Sequence, residues 1–453
     1  MDVFAQFISS VNSFVWGPWM LVFLVGTGIF LTVRLGFWQF QSLGYGLKLA
    51  FTRSQDQDSE GDISHFQALM TALAATIGTG NIVGVATAVI LGGPGAVFWM
   101  WITAIFGMAT KYGEAVLAVK YRVVDENGNM AGGPMYYIEK GLGWKWLAWI
   151  FALFGAVAAF GIGNLVQTNS VAGAVQSSFG VSPYITGVIL AVLTALVILG
   201  GVKSIGRATG IVVPFMAVFY ILAGLYIVIA NITLVPHAFA VIFTEAFTAQ
   251  AGFGALIGTT IRFGVARGVF SNEAGLGSAP IAAAAAKTDH PCRQGVVSMT
   301  GTFLDTIIVC SITGLALVMS GLYVGADTSI AASLTGDAFA YFIPGIGGTL
   351  VTIALIFFAY STVLGWSYYG EKCFYYLVGY KGLLPYRVIF CICAFLGAIT
   401  KISIVWDIAD TFNGAMAIPN LIALLALSSV IVSETQNFKR IRTEEIKHQK
   451  SLA

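Results

Sequence analysis

The sequence predicts an all-α polytopic membrane protein with eleven transmembrane helices. Three observations carry that prediction. Apolar types make up 57% of the 453 residues and charged types only 10%, where an average soluble domain carries roughly 25% charged residues. Runs of about 20 apolar residues, the length a helix needs to cross hydrocarbon, recur from end to end. The cations alternate between loops, as spans threading back and forth require. This composition excludes a soluble globular enzyme, a disordered chain and a disulfide scaffold. The runs are continuous, which argues against a transmembrane β-barrel.

The spans are read at 14–35, 66–91, 95–119, 146–176, 184–201, 208–231, 253–285, 296–322, 348–370, 387–405 and 412–432. The two longest, 146–176 and 253–285, exceed a straight helix's need and should be tilted or broken. Twenty of the 23 Lys and Arg fall in one alternate set of loops and ends, and the opposite set holds only Lys401. Arg262 and Arg267 lie inside a span. The bias places the N-terminus outside and the C-terminus in the cytoplasm. No Lys or Arg precedes the first span, which therefore does not read as a cleaved signal peptide.

An internal match links the second and seventh spans. One reads Asn81-x-x-Gly84-x-Ala86-x-Ala88 and the other Asn272-x-x-Gly275-x-Gly277-x-Ala279. The two run in opposite directions, so the match suggests an inverted repeat, 66–231 against 253–432. The connection is 232–252, an extra helix and loop occupy 1–65, and the tail is 433–453. Interrupted segments at corresponding positions of two halves point to a transporter site. Gly78-Thr79-Gly80-Asn81 and Phe270-Ser271-Asn272-Glu273-Ala274-Gly275-Leu276-Gly277 are both poor continuous helix, since glycine costs about 1 kcal/mol against alanine there. An unwound turn offers N–H groups to a carboxylate and carbonyls to a hard cation. Close packing through small-xxx-small spacing is the structural alternative.

Here the chain resembles the alanine/glycine:cation symporter family. The most specific match is Gly92-Gly93-Pro94-Gly95-Ala96-Val97-Phe98-Trp99-Met100-Trp101, with the two interrupted segments beside it. The resemblance runs from the first span to the last. It implies a leucine-transporter-like fold of two inverted five-helix repeats plus one N-terminal helix. It also implies import of alanine and glycine coupled to sodium, less often to protons. By the same resemblance, Thr79 and Gly80 present backbone to the substrate carboxylate, with Phe270 and Leu276 beside the substrate. A sodium site would join the carbonyls of Ala74, Ile77 and Phe358 to the hydroxyls of Ser361 and Thr362. A second sodium would use the Thr76 carbonyl, Asn81 and Ser271.

Other residues are weighed on their own chemistry. Trp366 lies one turn from Thr362 and reads as a pocket wall that leaves room for a very small side chain, or as an interface anchor. Asn164 and Gln167 share a face, with Asn169 nearby, as glue between helices or as a contact for the substrate's amino group. Charges inside the bilayer are expensive. Glu273 is therefore expected to pair with an arginine, with ammonium binding or proton carriage as alternatives, and Asp305 is a vaguer case. Lys111 and Glu114 read as a solvated or paired cytoplasmic end.

The five cysteines read as small core residues. The four histidines, His65, His237, His290 and His448, lie too far apart in sequence to suggest a metal site. No HExxH, GxSxG or P-loop is present, so no enzyme is expected. The expected partners are a small-molecule substrate and membrane lipid, not nucleic acid. The rival class is a channel, which would show rings of charge or a symmetric oligomer. The expected location is the cell membrane.

Overall fold

The computed structural model describes residues 2–52, 59–247, 256–400 and 403–452. Arg53 and Lys401 lie outside these, as do the junction of the expected connection with the seventh span and residues 401–402 within the expected tenth span. Among the described residues the chain is helical apart from one two-stranded hairpin, Val123–Val124 with Met130–Ala131. Eight helices are long and apolar enough to cross a membrane, and nine if the bent pair His65–Thr76 and Gly80–Gly92 counts as one span. The other two expected spans correspond to a shorter apolar helix, Pro183–Ile198, and to an interrupted segment, Leu256–Asn272 followed by Ala279–Ala283.

Both long spans prove interrupted, each in its own way. Lys145–Phe179 continues through a π-helical turn at Gly161–Leu165. The seventh segment loses its helix altogether between Asn272 and Ala279. Two more π-helical stretches occur, at Gly80–Gly84 and Phe303–Cys310. Such bulges are rare and cluster at functional sites. Here all three surround one region of the core.

Several segments read as loops carry helices. Trp38–Phe51 follows the first span, Pro134–Leu142 follows the hairpin, and Val235–Glu245 and Ala331–Phe342 lie in the connections. Ser428–Leu452 turns the expected tail into a helix. It docks through ion pairs of Glu434 with Lys120 and Glu445 with Arg293. The apolar-run criterion passes over such segments because they are shorter than a span or broken by polar residues.

Absent side chains set the closest approach. A Cβ on Gly365, in Gly347–Val378, would lie 2.7 Å from the Ala75 amide nitrogen. A Cβ on Gly163 would lie 2.2 Å from Cβ of Trp366. The helix Gly347–Val378 is thereby pressed against the first broken helix on one side and the π turn on the other. Gly365→Ala should cost about 1–3 kcal/mol, as overpacking does. A lower thermal unfolding midpoint of the purified protein, with a matching loss of uptake, is the expected result.

Candidate substrate and ion site

The first break begins with a cap in the wrong place for a helix. Ile77 is extended, with φ −76° and ψ 94°. The next amide, Gly78 N, donates to Asn81 Oδ1 at 2.9 Å and not to a helical carbonyl. The Ala74 carbonyl therefore loses its partner four residues on, and the helix bends by 52°. Ser361 Oγ lies 3.3 Å from the Ala74 oxygen and donates to the Phe358 oxygen at 2.9 Å. Thr362 Oγ1 lies 3.5 Å from the Ile77 oxygen and 2.9 Å from the Phe358 oxygen. Five oxygens, from Ala74, Ile77, Phe358, Ser361 and Thr362, thus meet across two helices. All five residues are buried. An all-oxygen donor set of carbonyls and hydroxyls suits a hard cation.

The second break is held open by backbone geometry and a buried acid. Glu273, Gly275 and Gly277 all have positive φ, at 57°, 92° and 85°. Glycine takes that region freely, whereas glutamate rarely does. The freed amides of Gly275 and Gly277 donate to Glu114 Oε1 at 3.1 and 3.2 Å. Asn420 Nδ2 joins the same oxygen at 2.6 Å and Tyr137 donates to Asn420 Oδ1. Glu114 is fully buried and Lys111, one turn earlier, is only 3% exposed. Of the two readings, a solvated or a paired cytoplasmic end, the solvated one fails for both. They lie in Gly95–Lys120, whose inner face is packed by the unwound segment.

Glu273 also departs from expectation. It accepts from Trp366 Nε1 at 2.9 Å and from Ser278 Oγ at 2.5 Å, and no arginine reaches it among the described residues. Arg267 instead stacks over Phe270, 5.6 Å from its centroid, and lines a vestibule of about 120 Å³ with Asp410, Asn12 and Trp16. Asp305 ties the two breaks together. It accepts from Asn81 Nδ2 at 2.8 Å, Ser271 Oγ at 2.9 Å and Thr306 Oγ1 at 2.7 Å. Its neighbour Thr306 accepts from Asn272 at 3.1 Å. The matching asparagines of the two segments therefore converge on consecutive residues of one bulged helix.

Between the breaks lies a cavity of about 10 Å³, the space of about one water. Of the expected substrate contacts, Thr79, Gly80, Gln167, Phe270 and Trp366 line it, with Thr76 and Thr362 beside the five converging oxygens. Gln167 Nε2 donates to Thr79 Oγ1 at 3.2 Å and to the Ile162 oxygen at 3.0 Å. Its Oε1 is buried with no partner among the described residues. Phe270 borders both this cavity and the vestibule.

Two expected contacts are placed elsewhere. Asn164 donates to the Phe390 oxygen at 2.7 Å, toward the helix Leu383–Ile399. Leu276 is buried in the main apolar cluster because the left-handed turns rotate it off the cavity. Asn169 bonds the carbonyls of Gly397 and Thr400, as glue would. Asn81 and Ser271 do meet, but their polar atoms are engaged by Asp305 and the Gly78 amide. Sequence reasoning passed over Asn413, Asn420 and Ile162, and placed Glu114 at a cytoplasmic end rather than at the break. The only signal was a buried carboxylate and amides within apolar spans. No group of metal-ligating side chains of the His, Cys, Asp and Glu kind occurs among the described residues.

Two interrupted helices facing each other around a small buried cavity, with freed carbonyls on one and freed amides on the other, define a secondary transporter. The chain belongs to the sodium:alanine symporter family, whose model matches residues 1–452. It is 68% identical to the sodium/alanine symporter AgcS of Methanococcus maripaludis, over 98% of this chain and 99% of that protein. An uncharacterized transporter of Haemophilus influenzae is 54% identical over 96% of each chain. Among solved structures, MhsT in complex with L-phenylalanine aligns with TM-score 0.57 at 16% identity, over 83% of this chain and 98% of that one. That likeness concerns the fold. The chain is a multi-pass membrane transporter and not an enzyme.

Glu114 should be worth more to stability than to recognition. Glu114→Ala strands three buried donors, at about 1–3 kcal/mol each, whereas Glu114→Gln keeps an acceptor. The unfolding midpoint should fall in the order wild type, Gln, Ala. Equal midpoints for the two variants would remove Glu114 as the clamp on the second break.

Proposed function

We propose that this protein imports alanine and glycine together with sodium by alternating access. The observation that carries the reading is the five-oxygen cage of Ala74, Ile77, Phe358, Ser361 and Thr362 set against the end of the first broken helix. An ion there ties that helix to Gly347–Val378 and stabilises the break beside it. Thr79 and Gly80 then meet the substrate carboxylate with backbone, and the partnerless Gln167 Oε1 accepts from its ammonium. Trp366, held by Glu273, closes the wall against larger side chains. The names of close relatives support alanine and sodium.

In this reading the eleven spans form two inverted five-helix repeats, 66–231 and 253–432, behind the helix of 1–65. The connection 232–252 is extracellular, the tail 433–453 cytoplasmic and the N-terminus outside, in the cell membrane. Phe270 is the outer gate between vestibule and cavity. On the cytoplasmic side Arg122 clamps the carbonyls of Glu60, Ala284 and Ala286, at 2.8, 3.1 and 2.7 Å. The cavity is too small for an amino acid in this closed form, so loading must part its walls. One inward positive charge yields about 2.3 kcal/mol per 100 mV, enough for roughly 40-fold accumulation. A second sodium at Thr76, Asn81 and Ser271 would have Asp305 as its counter-charge and would displace the bonds now made there.

Proteoliposomes test this directly. An imposed inward sodium gradient should drive alanine uptake, and uptake indifferent to sodium would end the reading. Ser361→Ala and Thr362→Ala should each raise the sodium concentration for half-maximal uptake about tenfold, given ~1–2 kcal/mol per lost ligand. Gln167→Ala should raise the alanine KM by at least tenfold on the same scale. A Hill coefficient near one for sodium would retire the second ion, and intact coupling in Glu273→Gln would retire proton carriage there.

A further inference from the structure

A separate cavity of about 680 Å³ opens beside the far end of the helix Gly347–Val378. The turn at 199–200, the starts of Gly201–Ala230 and Leu383–Ile399, and the hairpin residues Asp125, Asn127 and Asn129 form its other walls. Four cations line it, Lys203, Lys372, Lys381 and Arg387, against two carboxylates, Asp125 and Glu371. Both carboxylates are engaged. Asp125 holds Lys372 at 3.0 Å, and Glu371 takes Arg387 in a fork at 2.6 and 2.7 Å. The nearby Asp62 accepts the Met130 amide at 2.7 Å. Lys203 and Lys381 are exposed and form no ion pair among the described residues. Two positive charges therefore face the cavity with no carboxylate in ion-pair contact among the described residues, Asp62 acting on Lys203 only at longer range.

The rim has the opposite character. Leu199, Leu384 and Tyr380 are 52%, 63% and 50% exposed, next to the exposed apolar residues Leu196, Val388 and Ile392 of the adjoining helices. A soluble anion needs no greasy lip, whereas a lipid presents an anionic head and acyl chains together. Basic pockets between helices at the cytoplasmic surface suit such head groups. We propose that this cavity holds the phosphate head group of an anionic phospholipid, with Lys203 and Lys381 as its charge partners and Leu199 and Leu384 against its chains. The assignment to the cytoplasmic leaflet rests on the orientation proposed above, and the site itself does not. The lipid braces the same helix that carries Ser361 and Thr362, about two and a half turns away.

The test titrates the purified full-length protein with dioctanoyl phosphatidylglycerol, with the matching phosphatidylcholine and with inorganic phosphate, reading the unfolding midpoint and the lipid retained by native mass spectrometry. Phosphatidylglycerol should stabilise saturably and be retained, and the other two should not. The double variant K203Q/K381Q should bind it roughly 25-fold more weakly, at about 1 kcal/mol per lysine. K203R/K381R should keep the affinity, and the alanine KM should be unchanged in both. Equal stabilisation by phosphatidylcholine, equal binding of free phosphate, or wild-type affinity in K203Q/K381Q would each overturn the proposal. Labelling of Lys381→Cys by an impermeant maleimide, against the unsubstituted protein, reports the leaflet separately. Access from outside would reassign the leaflet and the orientation while leaving the head-group site to the titration.

Discussion

One hydrogen bond sets the rest of the centre in place: the Gly78 amide turns to the side chain of Asn81 and leaves the helix. A backbone donor in hydrocarbon must find a partner, and here a residue three positions on supplies it. The helical ladder then stops, and the Ala74 and Ile77 carbonyls are left facing sideways. Hydroxyls of Ser361 and Thr362 stand where those carbonyls point. The same asparagine uses its amide nitrogen on Asp305, so the unwound turn is anchored at both ends of one side chain. Break, cage and cavity wall thus share a single cause.

The second break solves the same problem by other means. Two glycines and Glu273 take the left-handed turns, and the amides they release fall on one oxygen of Glu114. A carboxylate accepting several donors is a strong, charge-assisted clamp. Asn420 adds a third donor to that oxygen. The two halves therefore echo each other in pattern and differ in chemistry. One break exposes carbonyls to a neighbouring helix, while the other has its amides already claimed. That asymmetry is why unclaimed backbone oxygens gather at the first break.

Asp305 and Thr306 link the two solutions. They sit on a π-helical stretch, where the extra residue per turn lets adjacent side chains reach both broken segments. Movement of either segment changes bonds shared with the other. Gly365 and Gly163 add a steric counterpart, since the absence of two Cβ atoms lets Gly347–Val378 lie against both the first broken helix and the π turn. A transporter needs such parts that shift together and not singly.

Much of this was legible in the sequence, and the reason is the bilayer. Hydrocarbon forces long apolar helices, so spans, alternation of charge and the two interruptions could be read from composition and spacing. The cage residues Ala74, Ile77, Phe358, Ser361 and Thr362, named through the family resemblance, do come together in space. The tertiary structure alone decided which charges are buried and with whom. Lys111 and Glu114 lie at a position that a linear reading assigns to a span's end, yet an unwound segment from far along the chain packs over them. Glu273 meets Trp366 and not an arginine, and Leu276 and Asn164 point away from the cavity. Spacing along one helix gives a face. Which partner that face meets depends on crossing angles and missing side chains on other helices, and no local pattern encodes those.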